Sequence, residues 1–145
     1  MQLPWRKGDR WPRVERVLVG TDRSETAERA VRWAADMAER YEAELVVLQV
    51  LADGADAQST TAALQSYVEE LVPGRARAIV RAGNDPARVI VDSATEEGVD
   101  VIVVGSVGMS GRKEFLLENV PNRVSHNARC TVVIVQTHGD PKRRR

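Results

Sequence analysis

The sequence predicts an α/β domain: a doubly wound sheet of five parallel strands with helices on both faces. Three observations predict it. Short apolar strand-forming runs and helical stretches alternate five times along the chain, and parallel neighbours in a sheet need crossover helices between them. The second run, AELVVLQVL over 43–51, is apolar without alternation, which implies burial on both faces. Cap and stop residues punctuate the helical stretches where such units begin and end.

Taken in order, the first strand is RVLVGTD, ending in Gly20, Thr21 and Asp22, and Ser24 follows as the N-cap of a helix. Ala27, Ala30, Val31, Ala34, Ala35, Ala38 and Tyr41 then recur at three- and four-residue steps, one face of that helix. After the second strand, Leu64, Tyr67, Val68 and Leu71 mark a second helix closed by Pro73-Gly74. ARAIVRAG gives the third strand. DPARVIVDSATEEG gives the third helix, with Asp85 at the cap, Pro86 in the first turn and Gly98 past the end. VDVIVVG is the fourth strand; Asn119, Pro121 and the spacing of Val120 and Val124 suggest a short fourth helix before the fifth strand, TVVIV.

A length of 145 residues and a hydrophobic fraction of 43% suit one domain with one continuous core. We assign it to residues 14–137, between basic surface tails at 1–13 and 138–145. Twenty-one basic side chains balance twenty-one acidic ones, so no global field draws the chain to nucleic acid or to an anionic membrane. No apolar run approaches the roughly 18 residues that span a bilayer, and MQLPWRKGDRWPR lacks the apolar segment of a signal peptide. The expected location is the cytoplasm. Cys130 is alone and precedes an apolar strand, as a buried structural thiol would.

Open parallel sheets bind ligands outside the carboxyl ends of their strands, where strand order reverses. The informative residues stand there: Gly20, Thr21 and Asp22 after the first strand, Val50 to Asp53 after the second, and the loop GSVGMSG after the fourth. That loop is neither a G-x-G-x-x-G fingerprint after a first strand nor a P-loop, and no G-x-S-x-G elbow occurs. His126 and His138 have no neighbours at metal-ligand spacing. What remains is a loop in which Gly105 and Gly108 lack a Cβ, Ser106 and Ser110 offer hydroxyls, and a helix N-terminus follows. By spacing alone it reads equally as an anion cradle or as a turn that lets the fourth strand leave the sheet.

The segments VLVGTDRSETAERAV, AGNDPARVIVDSA and VVGSVGMSG followed by FLLENVPNRVSHNARCTVVIV resemble the universal stress protein family over residues 16–52 and 77–137. The resemblance implies a flavodoxin-like, adenine-nucleotide-hydrolase-like sheet of order 3-2-1-4-5. It also implies a non-enzymatic role in a stress response with bound ATP or AMP, Mg²⁺ accompanying the triphosphate. Position by position, it implies adenine near the backbone of Val50, Gly20, Thr21 and Asp22 near the adenosine, and Gly105, Gly108 and Ser110 around the phosphates, with Asn119 closing the motif. It further implies a homodimer joined through the last strand, Thr131 to Gln136. The chain departs from the family pattern at two positions. Arg23 stands where the family often has a small or apolar residue. Glu118, separated from Gly108 by nine residues, stands where a glycine is expected, which would weaken phosphate binding. A nucleotide-free, dimeric interaction protein of the same fold is the alternative.

Overall fold

The computed structural model describes residues 13–52, 55–106 and 119–137. Among the described residues nine elements follow one another: β1 (Arg16–Thr21), α1 (Glu25–Tyr41), β2 (Glu44–Leu51), α2 (Ala57–Leu71), β3 (Ala76–Ala82), α3 (Pro86–Glu97), β4 (Val101–Gly105), α4 (Val120–Asn127) and β5 (Thr131–Val135). The strands form one sheet in the order β3-β2-β1-β4-β5, every pair parallel. The expected order is therefore the observed one. Apart from Arg13, both tails lie outside the described residues.

Side chains alternate across the strands, so each strand feeds two cores. Val17, Val19, Leu45, Val47, Val101 and Val103 pack beneath α1 and α2, with Val31, Leu64 and Val68 from those helices. Leu18, Val46, Leu48, Ile102 and Val104 pack on the opposite face, with Ile90 of α3 and Val120 and Val124 of α4. Burying each such aliphatic side chain contributes about 1.5–3 kcal/mol. This explains why β2 reads as an unbroken apolar run.

The helix ends follow local chemistry. Ser24 accepts from the Ala27 N–H, Asp56 from Gln58 and Ser59, and Asp85 from Arg88. Gly98 closes α3 with φ +63, where a side chain would be strained. At the other end of the sheet, the Asp100 carboxylate accepts from the N–H groups of Glu15 and Arg16 and fixes the start of β1.

The two edges of the sheet differ. On β3 the outward N–H of Ala78 is taken by the Gln65 side chain of α2 at 3.0 Å. Arg77 and Arg81 join Glu44, Glu96 and Glu97 in a network of ion pairs over the same strand. On β5 no residue from Thr131 to Val135 is charged, and Ile134 is exposed.

Candidate functional site

β1 pairs with β4 only from Val17↔Val101 to Val19↔Val103. Both strands run two residues further, to Thr21 and Gly105. Over that length β1 stays with β2, as far as Thr21↔Gln49, and β4 stays with β5, as far as Gly105↔Val135. The pairing thus ends at the carboxyl end of the sheet between the two strands where the order reverses, the place where such sheets hold a ligand crevice. Gly20, Thr21 and Asp22 form one side of it; Gly105 and Ser106 form the other.

On the first side Thr21 is buried, and its Oγ1 accepts from the Arg23 N–H at 2.9 Å. Asp22 Oδ1 accepts from the Ser24 N–H at 2.9 Å. By sequence alone Asp22 is free of the turn, because Ser24 already caps α1; in the structure Asp22 orients Ser24 as well. Arg23, between them, has φ +65, a backbone conformation that disfavours a Cβ by about 1–2 kcal/mol. Its guanidinium lies 4.1 Å from the centre of the Tyr67 ring, a cation–π contact that returns part of this. The Tyr67 hydroxyl in turn donates to Glu28 Oε1 at 2.8 Å. Burial, and then that bond, push the Tyr67 hydroxyl up to about 12, so it remains a donor throughout the neutral range.

The other side holds a residue that sequence reasoning missed. A Cβ on Gly105 would come within 2.9 Å of Thr137 Cγ2 and 3.2 Å of Thr137 Oγ1. Thr137 is buried, its N–H donates to Ser106 Oγ at 3.0 Å, and the two hydroxyl oxygens stand 3.4 Å apart. The Ser106 N–H donates to the Val135 carbonyl at 2.7 Å. The space left by the absent Cβ is filled by Thr137. Its only signal in the sequence is a threonine two residues beyond the last apolar strand, where it stands level with the loop after Gly105.

Val50 is half-buried at the end of β2, paired with Arg81. Asn119 caps α4 from a left-handed conformation, φ 52, and its Oδ1 accepts from the Asn122 N–H. Gly108, Ser110 and Glu118 lie outside the described residues. A further tie was also missed: Arg123 of α4 donates from both guanidinium nitrogens to the two oxygens of Asp85, each at 2.7 Å. This pair locks α4 to the start of α3 and holds the Asp85 carboxyl below its ordinary value. The groove of about 600 Å³ beside it is lined by Arg88, Arg123 and Arg129 but equally by Asp85, Asp92 and Glu96, so it offers an anion no net attraction. Cys130 is half-buried, and burial pushes its thiol up. Among the described residues no group of His, Cys, Asp or Glu could hold a metal ion, and no helix is long and apolar enough to cross a membrane.

A five-stranded parallel sheet that opens between β1 and β4 defines a class of α/β domains with a ligand crevice at the switch point. Within it, the universal stress protein family model matches residues 13–136, and the chain belongs to that family. The universal stress protein YxiE of Bacillus subtilis is 30% identical over 148 residues, spanning 83% of this chain and 98% of that protein. A putative universal stress protein of Staphylococcus haemolyticus, SH1215, is 29% identical over 144 residues, 87% of each. The crystal structure of a universal stress protein in complex with cAMP superposes with a TM-score of 0.70 at 28% identity, covering 86% of this chain and 98% of that one.

Proposed function

We propose that this chain is a non-enzymatic, cytoplasmic stress-response protein that binds an adenine nucleotide, ATP or AMP, in the crevice between β1 and β4. The observation that carries the reading is the division of the sheet after Val19 and Val103, with Thr21 and Asp22 on one side and Gly105 and Ser106 on the other. The 28%-identical relative solved with cAMP supports the ligand class. In this reading adenine lies against the backbone of Val50, and Gly20, Thr21 and Asp22 line the adenosine. The phosphates meet Gly105, Gly108 and Ser110 ahead of the α4 N-terminus at Asn119, the end at which a helix dipole favours an anion. Mg²⁺ would ride on the phosphates of ATP. Asp22 is the carboxylate that the described crevice offers, and one of its oxygens already serves Ser24, which favours binding over turnover. The active unit is a homodimer joined through β5, Thr131 to Gln136.

Calorimetric titration of the ligand-stripped protein with ATP, AMP and cyclic AMP tests this. Saturable binding of at least one nucleotide is expected, and Asp22→Ala should weaken it about tenfold while lowering stability by about 1 kcal/mol through the lost Ser24 bond. Unchanged affinity with lowered stability would leave Asp22 a turn residue only. The second reading is a nucleotide-free member of the family that acts through its dimer surface. Two observations favour it: Glu118 replaces the expected glycine, and Thr137 fills the space beside Gly105. An absence of binding to all three nucleotides would decide for it.

A further inference from the structure

Trp33, Tyr41 and Ile134 are the large apolar side chains left exposed among the described residues, Trp33 to 41%. Their positions are not random. α1 buries Ala30, Val31, Ala34, Ala35 and Ala38, and with about 3.6 residues per turn Glu28 falls on one flank of that stripe while Trp33 and Met37 fall on the other. Glu28 meets Tyr67 of α2, so its flank faces α2. The Trp33 flank is turned the opposite way, toward β4 and β5, both of which α1 contacts. Met37, Val133 and Val135 all pack against the same core. An apolar strip therefore runs from the edge of β5, which no described strand pairs, up the near side of α1, and beyond it the surface is charged, with Arg29 and the Asp36–Arg40 ion pair.

Consider two copies paired antiparallel along β5. The two-fold axis then stands normal to the sheet between the β5 strands, and each surface patch meets its own copy. Strands lie about 4.8 Å apart, so α1, over β1 and β4, stands roughly 10 Å from the axis, and its mate stands as far on the other side. Two helices, each about 10 Å wide with side chains, leave a trough of about 10 Å between them, floored by Val133 and Val135 of both copies. Trp33 lies eight residues (41 − 33) before the last residue of α1, Tyr41, or about 12 Å along its axis. At about 3.3 Å per strand residue this brings Trp33 level with the middle and end of β5, beside the axis. Tyr41 is left at the far end.

We propose that Trp33, with Met37 next to it, is the second contact of the dimer. The two indole rings, one from each copy, fill the trough over the paired β5 strands and exclude water from the seam. The occupant of this face is a second copy of the chain, because the strip is continuous with the edge that a second copy would pair. The inference rests on the β5 dimer proposed above and adds to it a side-chain anchor on a helix. Tryptophan at the centre of an interface with a charged rim is the residue type that most often dominates association.

Sedimentation velocity over a dilution series tests it with the full chain. Trp33→Ala is expected to dimerise about thirtyfold more weakly than the parent. Tyr41→Ala, at the exposed far end of the same helix, should leave dimerisation unchanged. In a chain with Trp5→Phe and Trp11→Phe, Trp33 is the remaining tryptophan, and its quenching by acrylamide should rise as the dimer dissociates. A Trp33→Ala dimer as tight as the parent, or quenching that does not change on dilution, overturns this inference and leaves β5 pairing standing. A parent chain that is monomeric at micromolar concentration overturns both.

Discussion

Gly105 and Glu118 bear on the proposed site through different physics, one through packing and the other through charge. At Gly105 the missing Cβ matters because Thr137 Cγ2 would stand 2.9 Å from it, and Thr137 is buried and bonded to Ser106. Gly105→Ala should therefore destabilise by about 1–3 kcal/mol. Thr137→Ser, which deletes Cγ2 and keeps the hydroxyl, should recover most of that loss in the double variant, as read from urea midpoints. At Glu118 the issue is charge. A carboxylate near a helix N-terminus favours the helix by about 0.3–1 kcal/mol. Against a phosphate charge about 4 Å away it is unfavourable by about 1 kcal/mol in water and about 4 kcal/mol at an effective dielectric of 20. Repulsion outweighs the benefit to the helix when Glu118 faces the ligand. Glu118→Gly should tighten ATP between about tenfold and a thousandfold, and tighten AMP less because fewer charges meet the carboxylate. Equal ATP affinities in calorimetry would show that Glu118 points away.

At the scale of elements, α4 is held by an ion pair that also belongs to the cap of α3. Arg123 keeps the Asp85 carboxyl below its ordinary value of about 4. A carboxyl whose folded value is depressed contributes stability above the unfolded value and loses it as pH falls toward the folded one. Asp85→Asn isolates this contribution, since asparagine caps a helix as well as aspartate. Both side chains are 39% exposed, so solvent screening limits the contribution to about 0.5–1 kcal/mol at neutral pH. Thermal melts should show the parent ahead of Asp85→Asn at pH 7 and the gap closing near pH 3; an equal gap at both would assign the effect to something other than charge. The strands and helices themselves were legible in the sequence, because periodicity, Ser24, Asp85, Pro86 and Gly98 are local signals. The Asp85–Arg123 pair was not, since 38 residues separate the partners and nothing local marks an arginine that will cross to another helix. The crevice residues of β1 and β4 were legible from the switch-point rule. Thr137 was not, because its role depends on which strand lies beside Gly105.

At the scale of the whole molecule, the sheet formed by the described residues has one guarded edge and one bare one. β5 has neither charge nor proline between Thr131 and Val135, and an unprotected edge strand invites pairing. Ile134 is 46% exposed in the single chain, so Ile134→Lys should leave the fold intact and place a charge in the seam. Light scattering is expected to give a mass near twice that of the chain for the parent and near once for the variant. A dimeric Ile134→Lys would move the interface elsewhere. The guarded edge has its own consequence. With Gln65 satisfying the outward N–H of Ala78 and Arg77 and Arg81 spread over β3, a pair joined at β5 presents only two β3 edges outward. In such a pair addition would stop after one step: the sheet would double to ten strands and offer no bare edge to a third copy.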